Sequence, residues 1–375
     1  MQSRRYFPLG KAYGKAFCNR VEETQTLVGN ILSGKHSFLV APRRYGKSSL
    51  CEKAVKLAGL PSTLVDLHVV TSQEDIQRLL LKGIADLLSK AFTSLDKTLQ
   101  LTKFHLKLLK PKLSFAAAGV SLVLESEQHA SPQEVIREAI LFLEDLLKTR
   151  DQQAVLWLDE FQRVVEIAPD MGIEGAIRSA AQETEKLSLI FSGSGRHLIE
   201  SIFQNSGRPL YKLCKKIKLE RIAKSHYLAH LNAAAKEKWK GALLNETFEK
   251  IMLRTEQHPY YVNYLCDLLW SSCEALPTPE DVEQAWCLVV EEEESDLLRE
   301  FFSISENQKK LLIYIATQSG QNIYSSACIQ STGLLSTSIP KLIKILQEKS
   351  MIEEVEKGVY RAINPIYPIL LRTST

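Results

Sequence analysis

Ala41-Pro42-Arg43-Arg44-Tyr45-Gly46-Lys47-Ser48 ends in the Gly-Lys-Ser triplet of a phosphate-binding loop. A polyphosphate asks for these residue types at this spacing. Such a loop wraps a phosphate with backbone N–H groups, so Gly46 must let the backbone come close. Lys47 supplies a point charge to the β- and γ-phosphates. Ser48 offers a hydroxyl to Mg²⁺ and opens a helix whose N-terminal dipole favours anions. Ala41 stands where the pattern has its first Gly, a position that shapes the turn without touching the reacting phosphate.

A second group lies at Asp159-Glu160, directly after the apolar run Ala154–Leu158. Alone, an Asp-Glu pair after a core strand is common and reads as a helix cap. Following a phosphate loop, it reads as the acid pair that completes a nucleotide site. Asp159 would hold Mg²⁺ through water, and Glu160 would polarise the attacking water. The next run, Ser188–Phe191, ends in Ser192-Gly193-Ser194-Gly195-Arg196-His197. A polar side chain there can sense a γ-phosphate. Spacing leaves Ser192 and Ser194 open, with Ser194 carried as the candidate. Arg196 and Arg208 are likewise both open as arginine fingers, with Arg208 carried.

These residues need a scaffold, and the pattern around them supplies one. His36–Val40, Thr63–Val70, Ala154–Leu158 and Ser188–Phe191 are short apolar runs separated by amphipathic helical stretches, one from Lys47 and one from Ser72 to about Phe92. That alternation predicts a parallel sheet covered on both faces. At the carboxyl ends of such strands the ligand crevice forms. Lys112–Leu124 alternates and contains a Gly, which predicts an inserted hairpin. Ser131-Pro132-Gln133-Glu134 predicts a helix start with Ser as N-cap. From about Ile222 to Arg299 the pattern is helical only, punctuated by Pro277, Pro279 and the run Glu291–Glu294. From Glu306 three helical patterns precede two β-like pieces, Met351–Glu356 and Val359–Ile363, joined through Lys357-Gly358. That order predicts a winged helix-turn-helix.

Composition limits the alternatives. The 375 residues exceed one ordinary domain, and 45% hydrophobic with 24% charged residues fits a globular chain. A net charge of +3 argues against a dedicated nucleic-acid coat. The seven cysteines never occur in CxxC spacing and read as reduced residues, not a disulfide frame or zinc site. No stretch approaches a membrane span, and MQSRRYFPLG has no apolar region behind its charges. A cytoplasmic location with no membrane partner is the expectation.

Taken together, these motifs resemble the prokaryotic AAA+ ATPases of the archaeal-ATPase type, relatives of the STAND signalling NTPases. Phe17–Glu23 is similar to the F-x-x-R-x-x-E box ahead of the loop, which places Asn19 and Arg20 near the adenine. Ala41–Ser49 resembles the family's loop, so Pro42, Arg43, Arg44, Tyr45 and Ser49 join Gly46, Lys47 and Ser48 as nucleotide-binding positions. Leu158–Phe161 looks like its Walker B segment, with Asp159 and Ser48 on the metal. Arg208–Tyr211 lies where such proteins carry P-L-Y-x-R; here Lys212 and Leu213 follow and the usual arginine is missing. His258-Pro259-Tyr260-Tyr261 resembles the start of the lid, with Pro259 at the nucleotide. The resemblance implies an α/β P-loop AAA+ core over 1–221, a helical lid over 222–300 and a winged helix over 301–375.

The implied activity is ATP hydrolysis with Mg²⁺, the nucleotide lying between core and lid, with slow turnover and an unknown protein client. Oligomerisation is compatible with a finger supplied in trans. The alternative is an ATP-gated DNA-binding protein of initiator or transposition type. Lys341, Lys344 and Lys349 on an expected recognition helix, Ser336–Lys349, could meet phosphates, but apolar residues fill most other positions and nothing early on the helix can read bases. Lys212, Lys215, Lys216, Lys218, Arg221 and Lys224 form a second basic cluster, read as a lysine-guarded edge strand. DNA is therefore the less favoured partner.

Overall fold

The structure is a computed structural model that describes residues 6–92, 107–116, 119–127, 129–318 and 320–371. It divides into two compact units. One comprises Val21–Ala41 and Leu50–Leu219; the other comprises Met1–Arg20, Pro42–Ser49 and Glu220–Thr375.

The first unit is built on a five-stranded sheet. Its strands are β1 (Ser37–Val40), β2 (Ser62–Asp66), β5 (Ala154–Asp159), β6 (Leu187–Phe191) and β7 (Lys215–Lys218), in the order β2-β5-β6-β1-β7. Every pairing is parallel, with Asp66 opposite Asp159 and Leu158 opposite Phe191. β1 and β6 are buried along their whole length, as continuous apolar runs covered on both faces must be. The run Thr63–Val70 is only half strand: pairing with β5 stops at Asp66, whose carboxylate turns back to accept the His68 N–H at 2.9 Å. β7 forms a sheet edge with three lysines exposed and Ile217 buried, the guarded edge expected from its charge.

Helices α1 (Val21–Leu32), α3 (Gln73–Ala91), α4 (Pro132–Thr149), α5 (Gln162–Ile167), α6 (Gly172–Ala181) and α7 (Arg196–Gln204) belong to this unit. Ser72 caps α3, accepting from the Asp75 N–H, and Ser131 caps α4 with Pro132 in its first turn. Phe38, Phe161, Phe191 and Phe203 lie together in the core, Phe38 stacked on Phe203 at 4.6 Å and Phe161 edge-on to Phe191 at 4.7 Å. Each contributes about 2 kcal/mol of transfer free energy. The inserted hairpin is present as antiparallel β3 (Leu109–Ala116) and β4 (Gly119–Ser126).

Helix α2 (Lys47–Ala58) follows the phosphate loop; its first turn is assigned to the second unit and the remainder to the first. The second unit continues with α8 (Lys224–Trp239), α9 (Asn245–Thr255), α10 (Pro259–Ser272) and α11 (Pro279–Phe302). α12 (Glu306–Thr317), α13 (Ser326–Thr332), α14 (Ile339–Glu348), the antiparallel pair β8 (Ile352–Glu356) and β9 (Val359–Ala362), and α15 (Tyr367–Leu370) complete it. The hairpin β8–β9 is closed at Gly358 (φ 79°).

Two expectations are corrected here. Glu291–Glu294 does not punctuate the helices but lies inside α11, which starts at a Thr278–Asp281 capping box and runs unbroken for 24 residues. The expected recognition helix begins at Ile339, not Ser336. Pro340 sits in its first turn, where a missing N–H costs nothing, and Ser338 takes the N-cap position. Among the described residues, no helix is long and apolar enough to cross a membrane.

Candidate functional site

β1, β5 and β6 run in parallel, so their carboxyl ends share one edge of the sheet, with β6 between the other two. From those ends the chain passes into Ala41, Glu160 and Ser192. Open α/β sheets bind ligands outside the carboxyl ends of their strands.

After β5, Asp159 and Glu160 are held apart by separate serines. The Ser192 hydroxyl donates to Asp159 Oδ1 at 2.5 Å and itself accepts from Trp157 Nε1 at 2.6 Å. Ser194 donates to Glu160 Oε2 through its hydroxyl at 2.8 Å and its N–H at 3.3 Å. Each of the two serines that spacing left open thus has its own carboxylate partner, Ser192 with Asp159 and Ser194 with Glu160. Glu160 adopts φ 53°, the left-handed region, where a non-glycine residue is strained and persists only if its surroundings demand it.

Gln162 is a site residue that the sequence motifs do not reveal. Its amide nitrogen donates to Glu160 Oε2 and lies 3.5 Å from Ser194 Oγ. Its carbonyl oxygen is buried without a partner against Gly193, where a Cβ would collide with it. The signal is present in Asp-Glu-Phe-Gln and Ser-Gly-Ser-Gly, but only the fold brings the two segments together.

Arg208 has a structural partner. Its guanidinium is bidentate to Glu174, with Nε to Oε2 at 3.2 Å and Nη2 to Oε1. Glu174 is fully buried, and burial raises its pKa against the pull of Arg208. Arg208 is thus committed to a buried carboxylate, which a finger would have to leave. Arg196, the other candidate, lies 3.9 Å from Glu200, and its Nε is buried with no hydrogen-bond partner.

In the other unit, the loop from Pro42 to Ser49 has the conformation its sequence requires. Gly46 lies at φ 87°, with no atom within 4 Å of where a Cβ would stand. Backbone conformation, not crowding, therefore demands glycine there. Arg44 is also left-handed, at φ 64°. Lys47 is buried and its ammonium donates to the Pro42 carbonyl at 3.2 Å, so the charge is turned into the loop. Arg43 is exposed and Ser48 half-buried, while buried Ser49 accepts from the Ala12 N–H at 3.0 Å.

Arg20 is buried against the loop backbone. Its Nη2 donates to the carbonyls of Glu220 at 2.5 Å and Tyr45 at 3.4 Å. Asn19 and Arg20 are both left-handed, at φ 55° and 63°. Pro259 opens α10. His258, the residue before it, is buried edge-on to Tyr45 at 4.8 Å, with its Nδ1 unpartnered. Burial, reinforced by Arg221 and Arg44, holds it well below the ordinary imidazole pKa and therefore neutral.

A five-stranded parallel sheet in the order β2-β5-β6-β1-β7, its strands separated by helices, defines an α/β fold. Solved structures agree at the level of fold. The Walker-type ATPase PABY2304 of Pyrococcus abyssi is similar over 96% of this chain and 98% of its own, with TM-score 0.68 and 18% identity. The Aeropyrum pernix ORC2 protein, in its ADPNP–ADP complexes, is similar over 99% of this chain and 98% of its own, with TM-score 0.54 and 12% identity. No protein-family model and no curated protein matches the chain in sequence. The fold expected from the archaeal-type AAA+ resemblance is the fold observed.

Proposed function

We propose that this protein binds ATP·Mg²⁺ at its phosphate loop and hydrolyses it. The observation that carries the reading is the loop itself: a strand-to-helix turn with Gly46 left-handed and the Lys47 ammonium drawn inside. Such a turn offers successive N–H groups and a cation to a polyphosphate. Magnesium takes one or two protein oxygens and fills its shell with water and phosphate, and the Ser48 hydroxyl and the Asp159 carboxylate are each donors of the kind it accepts. When bound, the ion would neutralise charge developing on the phosphates.

The chain's own residues have separable tasks. Lys47 binds the phosphates. Asp159, oriented by Ser192, holds the metal's water shell. Glu160, oriented by Ser194 and Gln162, accepts a proton from the attacking water. The fold shared with a Walker-type ATPase supports this assignment, and the ADPNP–ADP complexes of the Aeropyrum protein support an adenine nucleotide. Arg208 is replaced by Arg196 as the candidate finger, because Arg208 is bound to Glu174.

Calorimetric titration with ATP·Mg²⁺ tests the reading. Wild type should bind with 1:1 stoichiometry, and Lys47→Ala should lose binding by a hundredfold or more, of the order of ~3 kcal/mol for a charge-assisted phosphate contact. Equal binding by the two would sink it. The DNA-binding alternative gains little: the lysines of α14 are exposed, but Lys344 lies 3.9 Å from Glu348, and apolar residues fill the inner face. Salt-dependent retention of duplex DNA on a filter would revive it.

A further inference from the structure

We infer that Glu353, far along the chain in the hairpin of the C-terminal element group, is a positioning residue for the phosphate loop, acting through Tyr45. The inference rests on the ATP-binding reading and adds a part to that site.

The loop's tip is the portion that most needs support. Arg44 and Gly46 are both left-handed, and at Arg44 that conformation costs about 1 kcal/mol. Between them, Tyr45 is 1% exposed although it belongs to a loop. Its ring meets His258 edge-on at 4.8 Å. Its hydroxyl donates to Glu353 Oε1 at 3.0 Å, in β8. Arg221 closes the arrangement: its Nε donates to Tyr45 Oη and to Glu353 Oε1, each at 3.1 Å. The same guanidinium binds Glu256 Oε2 at 2.9 Å and the carbonyls of Ala362 and Ile363 at 3.2 and 2.8 Å. Arg361 adds a contact to Glu353 at 2.7 Å.

Arg44 is pinned independently. Its guanidinium lies 4.0 Å from the Tyr260 ring centre and 3.1 Å from Glu293 Oε2, in the middle of α11. Tyr260 and Tyr261 both donate to that carboxylate, at 2.9 and 3.2 Å. Two adjacent loop residues thus reach two different carboxylates, one on a lid-type helix and one on the hairpin. Pro42–Ser49 belongs to the same compact unit as Glu220–Thr375.

The consequence is physical. A loop that must hold two left-handed residues is competent to bind only while its side chains are anchored. Removing an anchor lowers the competent fraction, and apparent nucleotide affinity falls by that fraction. Glu353 therefore tunes a nucleotide that it does not touch. A partner that displaces β8–β9 would do the same.

The test is a double-mutant cycle with Tyr45→Phe and Glu353→Ala, read in two ways. First, amide exchange of peptides covering Ile352–Ala362 is followed in nucleotide-free protein. Tyr45→Phe should speed exchange there about tenfold, the value of one hydrogen bond to a charged group. Second, Mg·ADP affinity is titrated, with the thermal midpoint as the check on folding. Each single change should weaken binding about tenfold and the double change no more than the larger single, because the Tyr45–Glu353 bond through which Glu353 reaches the loop is already lost in either one. Unchanged exchange in Tyr45→Phe overturns the link. Additive losses, or a lowered midpoint with unchanged affinity, overturn the positioning role. Failure of wild type to bind nucleotide would instead refute the ATP-binding reading, leaving the exchange experiment to decide the link.

Discussion

Arg208 illustrates what residue identity can and cannot reveal. Its place after β6 suggests a finger, yet it is bidentate to the fully buried Glu174. Removing one member of a buried ion pair strands the other. Arg208→Ala should therefore destabilise the protein by about 3 kcal/mol, visible as a lower urea midpoint, while the per-folded-molecule hydrolysis rate stays within a few-fold. A hundredfold loss of turnover with unaltered stability would return the finger role to Arg208. The turn at Gly46-Lys47 and the strand end at Asp159-Glu160 are legible because a few consecutive residues define each. Gln162, Arg221 and Glu353 are not, since each acts through partners distant in sequence, and a lone glutamine or glutamate carries no pattern.

At the scale of elements, the parallel strands are legible because two-sided burial leaves continuous apolar runs. Errors arise where local chemistry competes with pattern. The strand expected to reach Val70 ends at Asp66, whose carboxylate prefers its own turn. The acidic run inside α11 reads as a break, although glutamate is a good helix former and Glu292 and Glu293 find tyrosine partners on α10. The start of α11 is set by Thr278 and Asp281, which satisfy each other's backbone N–H groups. Thr278→Ala should cost about 1 kcal/mol, read as an earlier loss of helical circular dichroism in urea. An unchanged transition would show that packing of the helix face, not the box, fixes its start.

For the whole molecule, buried histidines set an acid limit. Burial lowers the pKa of His36, His230 and His258 from the ordinary value of 6.5, despite the Ala181 carbonyl and Glu144 beside His36. Each binds a proton less readily folded than unfolded. The unfolded chain thus takes up more protons as pH falls through 6.5, and stability declines in that window. The thermal midpoint should drop between about pH 7.5 and about pH 5.5, before ordinary carboxylates titrate. A flat profile would mean that these rings are protonated in place. The division into units is the least legible feature at this scale. A phosphate loop reads in sequence as part of its strand, yet the side chains of Arg44 and Tyr45 anchor it among the C-terminal helices and hairpin.

ATP hydrolysis directed by Glu160 is the claim on which the rest depends. Its most direct test is phosphate release from ATP·Mg²⁺ in a single turnover, comparing wild type with Glu160→Gln at saturating protein. Glu160→Gln should bind ATP with wild-type affinity and release phosphate at least about a hundredfold more slowly, the usual share of a positioned general base. Equal release by the two proteins would contradict the assignment of Glu160, and no release by either would contradict the ATPase itself.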